Sequence, residues 1–267
     1  GTTNSKCSIS GLSMDTTYYY KVCAKNTTGE VCKDGSIKTK PNSTPFTQSD
    51  VGKYVTMTPT ATSYSIATSV TGNDTDQTIN PSELNLWRII KVNTDGTVEM
   101  VSDKVSSTLV YFSGSKGYKN LVGGLNTIAA QYTDGKHVQS TRHMGYSNQE
   151  ETCTGFCSGD TGYKTDTDLV KSVVGSLVAN KAGTSTATAY WLASRYNDTS
   201  GDGTGLGYGR IVYTSGSVNH GILYRVSSDG KNYNYDNRYA VRPIVTLKST
   251  SGKLSGSGTS SSPYVLN

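Results

Sequence analysis

The chain is poor in the residues that announce several common functions. Charged side chains make up 17% of its 267 positions, and the Ala/Glu/Lys/Leu signature of helical bundles is missing. Its 25 Lys and Arg against 20 Asp and Glu leave a net charge of +5, with no block of consecutive basic residues. A nucleic-acid interface needs a concentrated basic stripe, so nucleic acid is not an expected partner. No apolar run approaches the roughly 18 residues of a membrane-spanning helix, which argues against direct membrane insertion by this segment. Histidine occurs three times, and His137, His143 and His220 show no metal-ligand spacing; His143 in "TRHMGY" reads as a structural hydrogen-bonding residue. The chain opens on Gly1 without a Met or a signal-peptide pattern, and that start reads as a cut. Glycine (29) and tyrosine (19) are abundant, and with Ser and Thr everywhere they favour turns and strands. A β-rich protein is expected.

Five cysteines stand at Cys7, Cys23, Cys32, Cys153 and Cys157. Cys23 and Cys32 flank "AKNTTGEV", which reads as strand, Asn-Thr-Thr-Gly turn, strand. A symmetric hairpin sets the two opposite one another on the face away from the core, as a cross-strand disulfide requires. Cys153 and Cys157 lie in "ETCTGFCSGDTG", a polar loop with no second Cys or His pair, which favours a loop-closing disulfide over zinc. Both pairs point to an oxidising compartment, hence to an extracellular or cell-surface location. Reduced bystander thiols are the alternative. Cys7 would be left over, its partner upstream.

Residues 7–41 alternate, with Tyr18, Tyr20, Val22 and Ala24 on one face. A Leu before Tyr-x-Tyr-x-Val-x-Ala-x-Asn and a Gly-Glu turn resembles the last strands of a fibronectin type III domain, so residues 1–40 are expected to be the C-terminal part of such a β-sandwich. Residues 41–50, "PNSTPFTQSD", read as a linker. The main domain follows over 51–267. "GKYVTMTP" and "YSIATSV" read as short strands, and "NLWRIIKVNTDGTVEMVSDKV" as a hairpin turning at Asp95-Gly96. Two helices are predicted from 3.6-residue periodicity, one carrying Leu121, Val122, Leu125, Ile128 and Ala129, the other Leu169, Val170, Val173, Val174, Leu177 and Val178. The closing "GSGTSSSPYVLN" reads as a polar linker and a short edge strand with Pro263 at its start.

"AYWLASR", the long segment after it, and "YAVRPIVTLKS" resemble the end of a C-type-lectin-like fold, with Trp87, "STRHMGYSNQEE" and Arg242-Pro243 as further pieces. Over roughly residues 50–267 the chain is most similar to a family of bacterial cell-surface modules related in fold to the sulfatase-modifying-factor (formylglycine-generating) superfamily. The resemblance implies an α+β class: a C-type-lectin-like fold of two helices, twisted antiparallel sheets and long loops.

The residues themselves point to a binding surface on loops 196–238. Trp191, Leu192, Ile244, Val245 and Leu247 are apolar anchors around a segment rich in Gly, Tyr, Asn, Ser and Asp, the composition with which antibody loops bind. Candidate ligand contacts are Tyr196, Asn197, Tyr208, Asn219, His220, Asn232, Tyr233, Tyr235 and Asn237. Trp87, Trp191, Arg195, Arg242 and Pro243 are expected to be scaffold. A solvated, tyrosine-rich sheet edge is the plainer alternative.

Catalytic readings fare worse. Formylglycine-generating chemistry needs reactive thiols late in the fold, whereas every cysteine lies at or before Cys157. Glu150-Glu151 is an adjacent loop pair of the kind usually just solvated, and no nucleophile elbow is present. "GDGTGLGYG" is followed by strand pattern, not by the helix a phosphate loop needs. Asp198, Ser200 and Asp202 alternate like the start of a calcium loop but lack the closing Glu, leaving calcium a weak candidate and no cofactor expected. The sugar-binding signatures of calcium-dependent lectins are missing, so shape alone does not imply sugar binding. The expectation is a non-catalytic, adhesin-type module at a bacterial surface with a protein or glycan ligand. A structural stalk or pilus-associated domain is the alternative, ahead of an enzyme.

Overall fold

The computed structural model describes residues 8–13, 16–40, 43–145, 164–175, 189–198 and 205–267. Cys7, Cys153, Cys157, Ser200 and Asp202 lie outside the described residues, so the second disulfide and most of the calcium candidate do too.

The chain begins with a hairpin of β1 (Thr17–Asn26) and β2 (Gly29–Lys38). Asn26 builds its turn: Oδ1 accepts the N–H groups of Thr28 at 2.9 Å and Gly29 at 3.0 Å, a local bond that Asx residues make readily. The register sets Cys23 opposite Cys32, and a disulfide joins them across a Cα separation of 4.0 Å. By strand alternation that face also carries Lys21, Lys25, Glu30 and Asp34, while the other carries Tyr18, Tyr20, Val22, Ala24, Val31 and Ile37. The apolar face is bare, with Val22 64% and Val31 77% exposed.

In chain order there follow β3 (Thr44–Pro45), β4 (Tyr54–Thr56), β5 (Tyr64–Ile66), the single turn α1 (Thr68–Thr71), β6 (Gln77–Ile79), β7 (Leu86–Val92), β8 (Val98–Ser102) and β9 (Val110–Phe112). Next come α2 (Gly114–Ala129), β10 (Val138–His143) and α3 (Lys164–Val174). The chain closes with β11 (Ala189–Asp198), β12 (Gly205–Tyr213), β13 (Val218–Val226), β14 (Asn232–Asn234), β15 (Asn237–Tyr239), β16 (Pro243–Leu247), β17 (Gly252–Ser255) and β18 (Tyr264–Leu266). An eight-stranded sheet runs β10-β16-β8-β7-β4-β18-β17-β3 and a four-stranded sheet runs β11-β12-β13-β14, with β15-β9 and β5-β6 as small pairs.

Several expectations are corrected here. The α+β, two-helix C-type-lectin-like class does not hold: among the described residues 46% are strand against 17% helix, with three helices and several sheets. Segment 196–238 is mostly strand rather than loop, because its Tyr, Val and Ile alternate between turns at Gly216 (φ 84°) and Gly230 (φ 77°). The final strand is not an edge. β18 pairs parallel to β4 and antiparallel to β17, and Pro263 stands one residue before it, where its missing N–H costs no ladder bond. Part of the stretch read as linker joins the main sheet, since β3 pairs with β17. Asp50 is buried beside it. Burial pushes this carboxyl up, but hydrogen bonds from Lys253 Nζ (2.7 Å), Thr47 N–H (2.8 Å) and the Tyr264 hydroxyl (2.8 Å) outweigh burial and hold its pKa at about 2.

Two apolar clusters fill the interior. The larger lies between the inner face of the four-stranded sheet, α2 and one face of the eight-stranded sheet, and contains Trp87, Phe112, Leu121, Leu125, Trp191, Ile211 and Leu223. The smaller joins Ile90, Val101 and Ile244 of the large sheet to Val170 of α3 and to Tyr190, Leu192 and Val212. Both indoles are fully buried and satisfied: Trp87 Nε1 donates to Met57 O and Trp191 Nε1 to Val110 O, each at 2.7 Å. Asp166 ties α3 down by accepting from Arg142 (2.5 and 2.9 Å) and from Gly145 N–H (2.7 Å).

Between the clusters sits His143, 2% exposed. The Arg242 N–H donates to its Nε2 at 2.9 Å and its Nδ1 faces Met144 O at 3.0 Å. That pair of partners suits only the neutral ring with the proton on Nδ1. Burial, reinforced by the charges of Arg142 and Arg242, lowers its pKa to about 4 from 6.5. Between those values the unfolded chain binds a proton that the folded chain refuses. Stability is therefore full above about pH 6.5, falls as pH drops, and levels off near pH 4, with a ceiling of about 3 kcal/mol. Urea melts across this window are expected to show the slope in the native protein and to lose most of it in His143→Gln. An unchanged slope in the variant would contradict the assignment.

Candidate functional site

The strand β12 alternates glycine with larger residues over "GLGYGRI", 205–211. Gly207 and Gly209 face the core so closely that side chains would not fit. A Cβ on Gly207 would stand 2.3 Å from the Tyr224 ring, and one on Gly209 would stand 2.5 Å from the Trp191 ring. The same alternation turns Tyr208 and Arg210 to the opposite face.

That outer face gathers rings from neighbouring strands. Tyr196 of β11 lies across from Tyr208, and the two rings stack at 5.3 Å with planes 28° apart. His220 of β13 meets Tyr208 edge-on at 4.4 Å and Tyr196 at 5.5 Å. The Arg210 guanidinium sits 4.9 Å over the Tyr196 ring, within range of a cation–π attraction. Tyr235, just past β14, is anchored by its N–H to Leu223 O at 3.0 Å, and Tyr233 lies opposite Arg225.

The electrostatics follow from this crowding. Burial raises the Tyr208 phenol above its ordinary value, and the Asp198 carboxylate and the phenols of Tyr196 and Tyr235 add to the rise. Partial burial and the Arg210 charge lower the His220 pKa, with Asp198 working against them. At neutral pH the cluster thus presents neutral rings beside a fixed guanidinium.

The nine candidate contacts separate. Tyr196, Tyr208, His220, Tyr233 and Tyr235 share the outer face, where Tyr233 and Tyr235 are 47% and 37% exposed. Tyr208 is only 7% exposed, so a partner would touch the rim around it. Strand alternation sends Asn197, Asn219 and Asn232 to the other side. Asn237 is spent internally, donating to Ile222 O and accepting from the Tyr239 hydroxyl at 3.3 Å. Trp87, Trp191, Arg195, Arg242 and Pro243 are all buried. Arg195 Nη1 donates to Lys119 O of α2 at 2.7 Å, and Arg242 Nε and Nη2 donate to Ser102 O at 3.3 and 3.2 Å. Arg210 was not among the expected contacts, although its i+2 spacing from Tyr208 in a strand places it on that face. Among the described residues the cluster of three or more His, Cys, Asp or Glu within metal-binding reach is Cys23, Glu30 and Cys32, and there the disulfide occupies both sulfurs.

No protein-family profile matches the chain, and neither the curated proteins nor the solved structures contain a match.

Because the Arg210 charge holds His220 down, Arg210→Met is expected to raise the His220 pKa toward 6.5, the ordinary value. An NMR titration of the ring protons measures this directly. A midpoint that stays put or falls would remove Arg210 from the cluster.

Proposed function

We propose that the chain is a non-catalytic binding module of a bacterial cell-surface or secreted protein, docking a protein or glycan ligand on the outer face of β11–β14. The observation that carries this reading is the contrast between the two sides of that sheet. The inner side is glycine and buried aromatic, fixed against α2, while the outer side, beyond the end buried by Tyr190, Leu192 and Val212, offers Tyr196, His220, Arg210, Tyr233 and Tyr235 to solvent. Tyrosine and arginine on a rigid backing give large contact area at small entropic cost, the composition in which binding hot spots are enriched. The Cys23–Cys32 disulfide supports an oxidising compartment, and no helix among the described residues is long and apolar enough to cross a membrane.

A structural role as a stalk or pilus-associated module is the second reading, favoured by the bare apolar face of the β1–β2 hairpin. A two-stranded sheet is marginal alone in water, and a neighbouring module would cover that face.

The two readings separate on a glycan and protein array probed with the intact chain. For a partner captured there, replacing Tyr233 and Tyr235 together by Ala is expected to weaken binding by about 2 kcal/mol or more with the melting temperature nearly unchanged. Unfolding of the double variant, or binding that survives it intact, would contradict the binding-face reading.

A further inference from the structure

The triplet Asn-x-Ser/Thr, with any residue but proline in the middle, begins at Asn26, Asn42, Asn73 and Asn197; at Asn80 the middle residue is Pro81. In a chain exported to an oxidising compartment this triplet is an acceptor for N-linked glycan, provided it lies at the surface. The triplet is short and recurs by chance. What separates the four copies is the amide nitrogen, since that atom must reach a sugar donor.

Asn73 is half-buried, and its Nδ2 is spent on Tyr111 O at 2.9 Å. Asn197 is half-buried within β11, opposite Gly207. Asn42 and Thr199 lie outside the described residues. Asn26 stands exposed at the tip of the β1–β2 hairpin with Thr27 and Thr28. Its Oδ1 accepts the Thr28 hydroxyl at 2.7 Å as well as the N–H groups of Thr28 and Gly29. Its Nδ2 bonds to nothing among the described residues.

This geometry bears on the chemistry. An amide nitrogen shares its lone pair with the carbonyl and must lose a proton when it takes a sugar. Three donors on Oδ1 draw charge from the amide and ease that loss. They also hold the side chain in one orientation, Oδ1 toward the turn and Nδ2 left over. Thr28 therefore matters to Asn26 through its hydroxyl. The Cys23–Cys32 disulfide, three positions back along both strands, keeps the tip in register.

We infer that Asn26 is a glycan acceptor. In the step a diphosphate-activated sugar, brought by a glycosyltransferase, gives up the bond between its anomeric carbon and the phosphate oxygen. That carbon bonds to Asn26 Nδ2, the diphosphate leaves with the electron pair, and the amide proton passes to a base of the transferase. Strand alternation puts Asn26 on the side of Val22 and Ala24, so the glycan shields the distal end of the apolar face, where Val31 is 77% exposed. Acceptance at Asn26 requires the secreted or cell-surface location proposed above and is independent of the tyrosine face.

The test is peptide mass spectrometry, without reduction, of the intact chain recovered from its own cells, alongside Thr28→Ala and Thr28→Ser variants expressed in those cells. The Asn26 peptide is expected to carry a glycan in the native chain and in Thr28→Ser, and to lose it in Thr28→Ala with the melting temperature nearly unchanged. A glycan that persists in Thr28→Ala, or that occupies Asn73 or Asn197 in place of Asn26, would overturn the inference. So would an unmodified Asn26 beside an intact Cys23–Cys32 disulfide, a result that leaves the secreted location standing. An unmodified Asn26 with both thiols free would take the location down with it.

Discussion

The contact of Trp191 with the bare backbone of Gly209 governs the arrangement of the rest. The indole is fully buried, donates to Val110 O, and packs edge-on against Phe112 at 5.7 Å and Tyr239 at 4.7 Å. Leu121 of α2 stands at the same glycine, 2.9 Å from where its Cβ would be. One aromatic side chain thus ties β11, β12, β9 and β15 to the helix in a single layer of contacts. Any side chain at Gly209 or Gly207 would push the four-stranded sheet off α2. With the inner face closed to side chains at Gly207 and Gly209, β12 carries Tyr208 and Arg210 outward there.

This division explains the segment "KNYNYDNR" that precedes the last core strand. Its two side-chain sets serve different neighbours. The tyrosines extend the outer face beside Arg210 and His220, and Asn234 and Asp236 turn to the opposite side, where with Asn73, Asp74 and Ser113 they line a shallow polar cleft. The strand then crosses through β15, which pairs with β9, and enters the large sheet at Pro243, where Arg242 and His143 lock it in place. Polar composition here reflects two solvent-facing surfaces meeting in one short strand, held on either side by buried anchors.

Local patterns made much of this legible. The Asn26 turn, the Asp95-Gly96 hairpin and the α2 periodicity all depend on residues within a few positions of one another, and sequence reports such interactions well. So was the position of Cys23 and Cys32 on the polar face of their hairpin, which alternation alone dictates. The long-range pairings were not legible. Nothing near Tyr264 indicates that β18 slots beside β4, because that placement follows from Asp50, Lys253 and the Tyr264 hydroxyl meeting over more than two hundred residues of chain. The glycines of β12 suggested a loop because glycine usually marks one, whereas here they admit rings to the backbone. A helix and strand content so far from the expected two-helix fold came from the same cause: in segment 196–238 short aliphatic pairs such as Ile211-Val212 and Ile222-Leu223 stand among glycines and polar residues, yet the backbone pairs throughout β12 and β13.

A stability scan with single Ala substitutions along 206–210, read by denaturant unfolding, tests the central claim most directly. The account predicts that Gly207→Ala and Gly209→Ala lose about 2 kcal/mol or more through the collision with buried rings, while Leu206→Ala and Arg210→Ala, whose side chains are only half-buried, lose less. Equal losses at all four positions, or larger losses at Leu206 and Arg210 than at Gly207 and Gly209, would contradict a sheet whose inner side is fixed so that its outer side can bind.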